Sequence, residues 1–282
     1  MRTTATSGRV EPGSEEHAAG SVFRRAVVGV DGTERGFEAL RQTLVLAPAG
    51  SRISAITALD TGPAMRTGFQ SEYWVDQLRQ EAAAAREAAE AILAGRPGCE
   101  ARVVAGKPVD VLRRESGELD ATLLALGGQH SSRLLGIMLG DTSTELLHDG
   151  VRSVLVARPR TSGTWQPRAV VVGVDGSAPS LAALETADDL AARLGAEVEV
   201  VHATGPGSAR PDGDWAAGVT EWDEAGPVAA LLDRSRAADL VLVGSRGVHG
   251  IRAIGSVSER VAHRARCSVL VVHPVDAPLP RA

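Results

Sequence analysis

Apolar residues along this chain fall into short continuous runs, separated by longer stretches in which they recur every three or four positions. Runs near residues 25–30, 53–58, 101–105, 122–126 and 153–157 have the pattern of strands buried on both faces. Between them, Thr33 stands ahead of Phe37, Leu40 and Leu44 at i, i+3 and i+7, which predicts a capped helix. Leu78, Ala82, Ala85, Ala89 and Ile92 mark a second helix, stopped by Gly95-Arg-Pro97, and a third runs from Pro108 through Val111 and Leu112. Strands alternating with helices predict an α/β chain built on a parallel, doubly wound sheet.

The same pattern occurs twice. Arg25-Ala-Val-Val-Gly-Val-Asp-Gly-Thr33 matches Arg168-Ala-Val-Val-Val-Gly-Val-Asp-Gly-Ser177, with Asp31 and Asp175 144 positions apart. Leu123-Leu-Ala-Leu-Gly127 matches Leu240-Val-Leu-Val-Gly244 at an offset of 117, so the second copy lacks 27 residues between these landmarks. Ser153-Val-Leu-Val-Ala157 matches Ser268-Val-Leu-Val-Val272 at 115. In the second copy Ser177 is placed to cap a helix carrying Leu181, Leu184, Ala191 and Leu194, closed by Gly195 and followed by a strand from Val198 to Ala203. Residues 204–218 are rich in Gly, Pro and Asp without helical periodicity, so the deficit removes the second helix. A short strand is expected around Val219–Trp222. Two domains follow, 22–159 and a shortened 167–275, with a linker at 160–166, a disordered tail at 1–21 and a C-terminal tail at 276–282.

Composition narrows the function classes. Of 282 residues, 30 are basic and 35 acidic, a net charge of −5 that excludes a strongly basic nucleic-acid binder. Lys107 is the only lysine, and with 3% aromatics the core must be built from Ala, Val and Leu. Cys99 and Cys267 have no paired spacing, which argues against a disulfide framework or a thiolate metal site and for a reducing cytoplasm. The seven histidines form no metal-ligand spacing, and no segment has the length and apolarity of a secretory or membrane-spanning helix. His148 and His263 fall at matching points late in a helix, where they suit its C-terminal dipole.

Two features carry candidate chemistry. Gly244-Ser-Arg-Gly-Val-His-Gly-Ile-Arg-Ala-Ile-Gly-Ser-Val-Ser258 follows a buried strand and precedes a helix from Glu259 to Arg266. Glycines let backbone amides approach phosphates, a helix N-terminus favours them, and Ser256 and Ser258 add hydroxyls. A tight turn needs glycine without any ligand, however. Asp31 and Asp175 end the first strand of each half, where ligands of open α/β sheets collect. Each reads either as an acceptor for ribose or base, or as the aspartate of a Val-Asp-Gly turn. Trp215 and Trp222 lie where the helix is missing and read as a packing cover.

With these residues the chain resembles the universal stress protein family across both halves. The marks are Val-Val-Gly-Val-Asp-Gly-Ser/Thr, Val201-His-Ala203, Gly106-Lys-Pro108, Ala238-Asp-Leu-Val-Leu-Val-Gly-Ser-Arg-Gly247 and Gly255-Ser-Val-Ser-Glu-Arg-Val-Ala-His263. The resemblance implies two flavodoxin-like or Rossmann-like domains of the adenine nucleotide α-hydrolase-like fold. Domains of the family pair through their last strands, so Val154–Val156 against Val269–Val271 would make a pseudo-dimer within one chain. ATP-binding members carry Gly-x2-Gly-x9-Gly-Ser/Thr, which maps onto Asp175, Ala203, Gly244, Gly247, Gly255, Ser256 and Ser258 in the second half. Asp31, Ala58, Gly127, Gly140 and Ser143 are the weaker set in the first.

Neither half matches the pattern fully. Seven residues, not nine, separate Gly247 from Gly255. In the first half His130 replaces a glycine and Asp141 a serine, which sets a carboxylate against phosphate. No lysine follows either loop, leaving Arg246 as the nearest cation. The resemblance implies a cytoplasmic stress-response protein that binds adenine nucleotide in its second half, with Mg2+ left open, and acts through protein partners or self-association. The alternative is a nucleotide-free interaction or scaffold protein; slow ATP hydrolysis ranks third, since no general base beyond the strand-end aspartate is evident.

Overall fold

In the computed structural model, the described residues are 22–65, 71–128, 141–148, 152–159, 163–203, 214–245 and 257–274. The first half runs β1 (Arg25–Gly29), α1 (Glu34–Leu46), β2 (Arg52–Leu59), α2 (Gly62–Met65), α3 (Ser71–Leu93), β3 (Cys99–Ala105), α4 (Pro108–Glu118), β4 (Leu123–Gly127), α5 (Asp141–His148) and β5 (Ser153–Ala157). The second runs β6 (Ala169–Gly173), α6 (Ala178–Leu194), β7 (Glu197–Ala203), a 3-10 turn (Asp214–Gly218), β8 (Glu221–Asp223), α7 (Pro227–Arg234), β9 (Leu240–Gly244), α8 (Val257–Arg264) and β10 (Ser268–Val272). The short strand β8 begins two residues later than expected, and α8 begins at Val257 and stops at Arg264 rather than spanning 259–266. The 23-residue α3 has no counterpart among the described residues of the second half.

The ten strands form one sheet, in the order β3-β2-β1-β4-β5-β10-β9-β6-β7-β8. Within each half all pairings are parallel and the order is 3-2-1-4-5, a doubly wound arrangement whose direction reverses between the first and fourth strands. The halves join where β5 and β10 pair antiparallel, Val154 against Val271, Leu155 against Leu270 and Val156 against Val269. This is the pairing the last strands were expected to make. Both strands are buried along their whole length, so neither is left as an open edge.

Side chains secure the junction. Ser268 Oγ donates to Gln42 Oε1 at 2.7 Å, and Gln42 Nε2 donates to Glu38 Oε1 and to the Arg158 carbonyl, both at 2.9 Å. Arg193 at the end of α6 donates to the Leu46 carbonyl at the end of α1 (2.9 Å) and lies over the Phe23 ring. Trp165, within the expected linker, is buried in the core that both halves share. Arg158 is 2% exposed, and its guanidinium donates to the carbonyls of Cys267 (3.0 Å) and Ala262. A cation suits carbonyls at the C-terminal end of α8, but burial still pushes its pKa down to about 10. Among the described residues no helix is long and apolar enough to cross a membrane.

Candidate functional site

A cleft opens at the topological switch point of each half, outside the carboxyl ends of the first and fourth strands. Its backbone is set by a short turn. In the first half, Asp31 Oδ1 accepts from the Thr33 amide (3.1 Å) and the Thr33 hydroxyl (2.6 Å), while Gly32 between them takes φ +78. Thr33 Oγ1 in turn accepts from the Gly36 amide at 3.4 Å and caps α1 as expected. In the second half Asp175 Oδ1 accepts from the Ser177 amide (3.1 Å) and hydroxyl (2.5 Å), with Gly176 at φ +80.

Ser177 occupies the N-cap of α6 but makes no side-chain capping bond, contrary to the sequence expectation; Pro179 in the first turn has no amide proton to offer it. The buried Ser180 closes the turn instead. Its hydroxyl donates to the Ser177 carbonyl (2.9 Å) and accepts from the Asp175 amide (3.2 Å). Ser180 has no such counterpart in the first half, where Gly36 stands at the matching position and a Cβ would lie 2.7 Å from Asp31 Oδ1. Each aspartate is thus a turn-former, whatever else it binds.

The strand-end glycines also have a packing duty. A Cβ at Gly127 would sit 2.7 Å from the carbonyl carbon of Arg35, and one at Gly244 would sit 2.4 Å from that of Pro179. The fourth strand of each half ends against the first turn of its first helix, at a distance only glycine permits. That approach brings strand end, helix N-terminus and turn into one corner.

The second-half cleft has a volume of about 400 Å3, within the roughly 300–1,000 Å3 range of small-molecule sites. Val174, Val201, Leu231 and Val243 supply its apolar wall, and Asp175, Ser177, His202, Ala203, Gly244 and Ser258 its polar and backbone contacts. The first-half cleft is about 330 Å3, with Val30, Ile56, Leu112 and Leu126 as wall and Asp31, Thr33, Arg35, Ala58, Gly127 and Ser143 around it. Asp175, Ala203, Gly244 and Ser258 therefore meet at one cavity, as do Asp31, Ala58, Gly127 and Ser143. Gly247, Gly255, Ser256, Gly140 and Arg246 lie outside the described residues, as do the side chains of Asp141 and Trp222.

Three cleft residues were not singled out from the sequence. Arg35 is the second residue of α1 and Ser180 the third of α6, and only counting positions from Asp31 and Asp175 would have flagged them. His202, which appeared only within the Val201-His-Ala203 mark, is buried with Nδ1 2.8 Å from the Val174 carbonyl and its ring 5.2 Å from that of Trp215. Trp215 lies over Gly176, where a Cβ would meet its ring at 2.7 Å. At the matching Gly32 the nearest neighbour is Ala85 of α3, 3.5 Å away. One indole thus packs where α3 packs in the first half, as its position in the irregular segment suggested. Among the described residues no group of three His, Cys, Asp or Glu side chains is placed to hold a metal ion.

Comparison with known proteins agrees with this architecture. The family model described as "Universal stress protein family" matches residues 23–158, 167–214 and 210–273. A universal stress protein of Mycolicibacterium smegmatis is 32% identical over 183 residues, covering 55% of this chain and 62% of the relative, which is less than two thirds of its length. One from Mycobacterium tuberculosis is 33% identical over 208 residues (63% of this chain, 69% of the relative), and one from Mycobacterium bovis 31% over 228 residues (70% and 77%). Among solved structures, a universal stress protein from Archaeoglobus fulgidus superposes with TM-score 0.68 at 22% identity, covering 90% of this chain and 97% of that one. A putative universal stress protein from Pseudomonas aeruginosa gives 0.63 at 18% identity, covering 92% and 96%, and at such identity the likeness speaks for the fold alone. Repeated sequence matches over both halves, on the doubly wound sheet described above, place this chain in the universal stress protein family.

Proposed function

We propose that the second-half cleft binds an adenine nucleotide and that the protein acts through partners, as a pseudo-dimer of its own halves, rather than by catalysis. One observation carries the reading: Asp175, Ala203, Gly244 and Ser258 converge on a single cavity at the switch point of the second half-sheet. Its apolar wall suits a base, the Asp175 carboxylate suits ribose hydroxyls, and Ser258 at the start of α8 suits an anionic group. The described residues fit the nucleoside end of ATP; the loop that would hold its phosphates lies at 246–256, outside them. Cys99 and Cys267 are free, and burial pushes the Cys267 thiol up to about 12, which keeps it protonated and unreactive.

The test is calorimetric titration of the full chain with ATP. Asp175→Asn keeps an acceptor for Ser177 while removing the charge, and is expected to weaken binding about tenfold or more. Absence of ATP affinity up to millimolar concentration rejects the reading. It would favour a nucleotide-free interaction protein, for which the specific observation is that neither half retains an intact Gly-x2-Gly-x9-Gly-Ser pattern.

A further inference from the structure

Two surfaces are left open on opposite faces of the sheet. On the first, Met65 at the end of α2 and Tyr73 and Trp74 in the first turn of α3 are 62, 65 and 46% exposed, and they are the exposed large hydrophobics among the described residues. Single exposed apolar residues need no explanation, but three on helices that pack together mark a contact surface. The Tyr73 and Trp74 rings meet edge to face with centroids 5.4 Å apart. Beside them the exposed Glu72 forms no ion pair among the described residues, and Asp76, one turn on, pairs with Arg79 alone. On the second surface, α8 and the turn after it carry Arg260, Arg264 and Arg266, all exposed and none in an ion pair among the described residues. Other helical arginines, Arg79, Arg86 and Arg193 among them, pair with an acid of their own helix. Arg264 suits the C-terminal dipole of α8, but Arg260 four residues earlier only repels it. The whole chain has a net charge of −5, so this basic face is a local exception.

We propose that these two surfaces dock on one another between copies: the aromatic and acidic start of α3 in one copy receives the arginine face of α8 in the next. Both present their charges at i and i+4, Glu72 and Asp76 against Arg260 and Arg264, so the spacing of the carboxylates matches that of the guanidinium groups. An arginine placed over Tyr73 or Trp74 adds a cation–π contact. A single chain cannot close this contact on itself. α3 contributes Ala89 and Leu93 to the core that takes Leu270 of β10, whereas α8 contributes Val261 and Ala262 to the core that takes Val269 and Val271. Neighbouring residues of a strand point to opposite faces, so α3 and α8 lie on opposite sides of the sheet. Pairing α3 with α3 of a second copy would set Glu72 and Asp76 against like charges. The contact is therefore heterologous, head to tail, and it is independent of nucleotide binding in either cleft.

The test is sedimentation velocity of the full chain over a range of protein concentrations. Species larger than the monomer are expected at about 0.05 M salt and should recede at about 1 M, where the screening length is about 3 Å. Two double variants, Glu72→Arg with Tyr73→Ser and Arg260→Glu with Arg264→Glu, are each expected to weaken association at least about tenfold, with melting midpoints near that of the unaltered chain. Mixed together, they are expected to form a one-to-one complex and nothing larger, because each keeps the surface that the other has lost. An unaltered chain that stays monomeric at low salt overturns the assignment. So does association that survives Arg260→Glu with Arg264→Glu, a mixture of the two variants that stays monomeric, or a monomeric chain that binds anionic lipid vesicles through these arginines.

Discussion

The two clefts share a floor and a turn but differ in what stands around them. Gly127 and Gly244, Asp31 and Asp175, and Ser143 and Ser258 occupy equivalent places. Arg35 faces Pro179 across the repeat, Gly36 faces Ser180, and a 23-residue helix faces one tryptophan. The shared residues are those that the backbone demands. An aspartate closes the turn, and a glycine lets the fourth strand reach the first helix. Of the divergent ones, Ser180 and Gly36 each serve the turn of their own half and Trp215 stands in for a helix, so the two halves reach the same corner by different packing.

The largest effect that tests this division is expected at the strand-end glycines. Gly244→Ala forces a Cβ to within 2.4 Å of the Pro179 backbone, and Gly127→Ala to within 2.7 Å of the Arg35 backbone. Backbone cannot give way as a side-chain tip can, so costs of about 3 and 2 kcal/mol are expected respectively, near the top of the overpacking range. Chemical denaturation of both variants checks the values. Two nearly neutral substitutions would mean that these glycines are kept for a ligand and not for packing.

A smaller difference is expected at the turn glycines. Gly32→Ala meets only the left-handed φ, about 1 kcal/mol, because Ala85 lies at ordinary contact distance. Gly176→Ala meets the same φ and also the Trp215 ring at 2.7 Å, so it is expected to cost about 2 kcal/mol. In a Trp215→Ala background the cost of Gly176→Ala should fall to that of Gly32→Ala, a coupling that a double-mutant cycle reads directly. Equal costs in both backgrounds would show that the indole does not take the place of α3.

Much of this contrast was legible in the sequence because it lies in periodicity and offsets. The continuous apolar runs placed all five first-half strands, the falling offset located the missing helix, and the matched ends of Val154–Val156 and Val269–Val271 anticipated the joining pair. What was hidden depends on burial. Arginine is abundant throughout the chain, so nothing local marked Arg158 as buried or Arg35 as lining a cavity. Trp165 looked like part of a linker because its neighbours are Ser, Gly, Thr and Pro. Ser177 looked like a helix cap because the residue type fits, but Pro179 offers it no amide proton and the Ser180 hydroxyl donates to its carbonyl.

Arg158 provides the smallest and most local test of the asymmetry, since its repeat counterpart is His273. α5 and α8 meet across the junction, where Thr144 Oγ1 lies 3.5 Å from His263 Nε2 and Glu259 lies between His148 (3.3 Å) and His263 (3.9 Å). Burial holds the His263 pKa below its ordinary 6.5, Glu259 pulls it up, and Arg158 and His148 push it down. The unfolded chain therefore binds this proton more readily than the folded one. Its contribution to stability is complete above about pH 6.5 and is lost as pH falls through that value toward the folded pKa. In NMR titration the ring protons of His263 should move at a pH below 6.5, and Arg158→Met should raise that midpoint by removing a like charge while keeping most of the volume. An unchanged His263 midpoint in Arg158→Met would show that the buried guanidinium serves only to satisfy the carbonyls of Ala262 and Cys267, with no electrostatic reach across the junction.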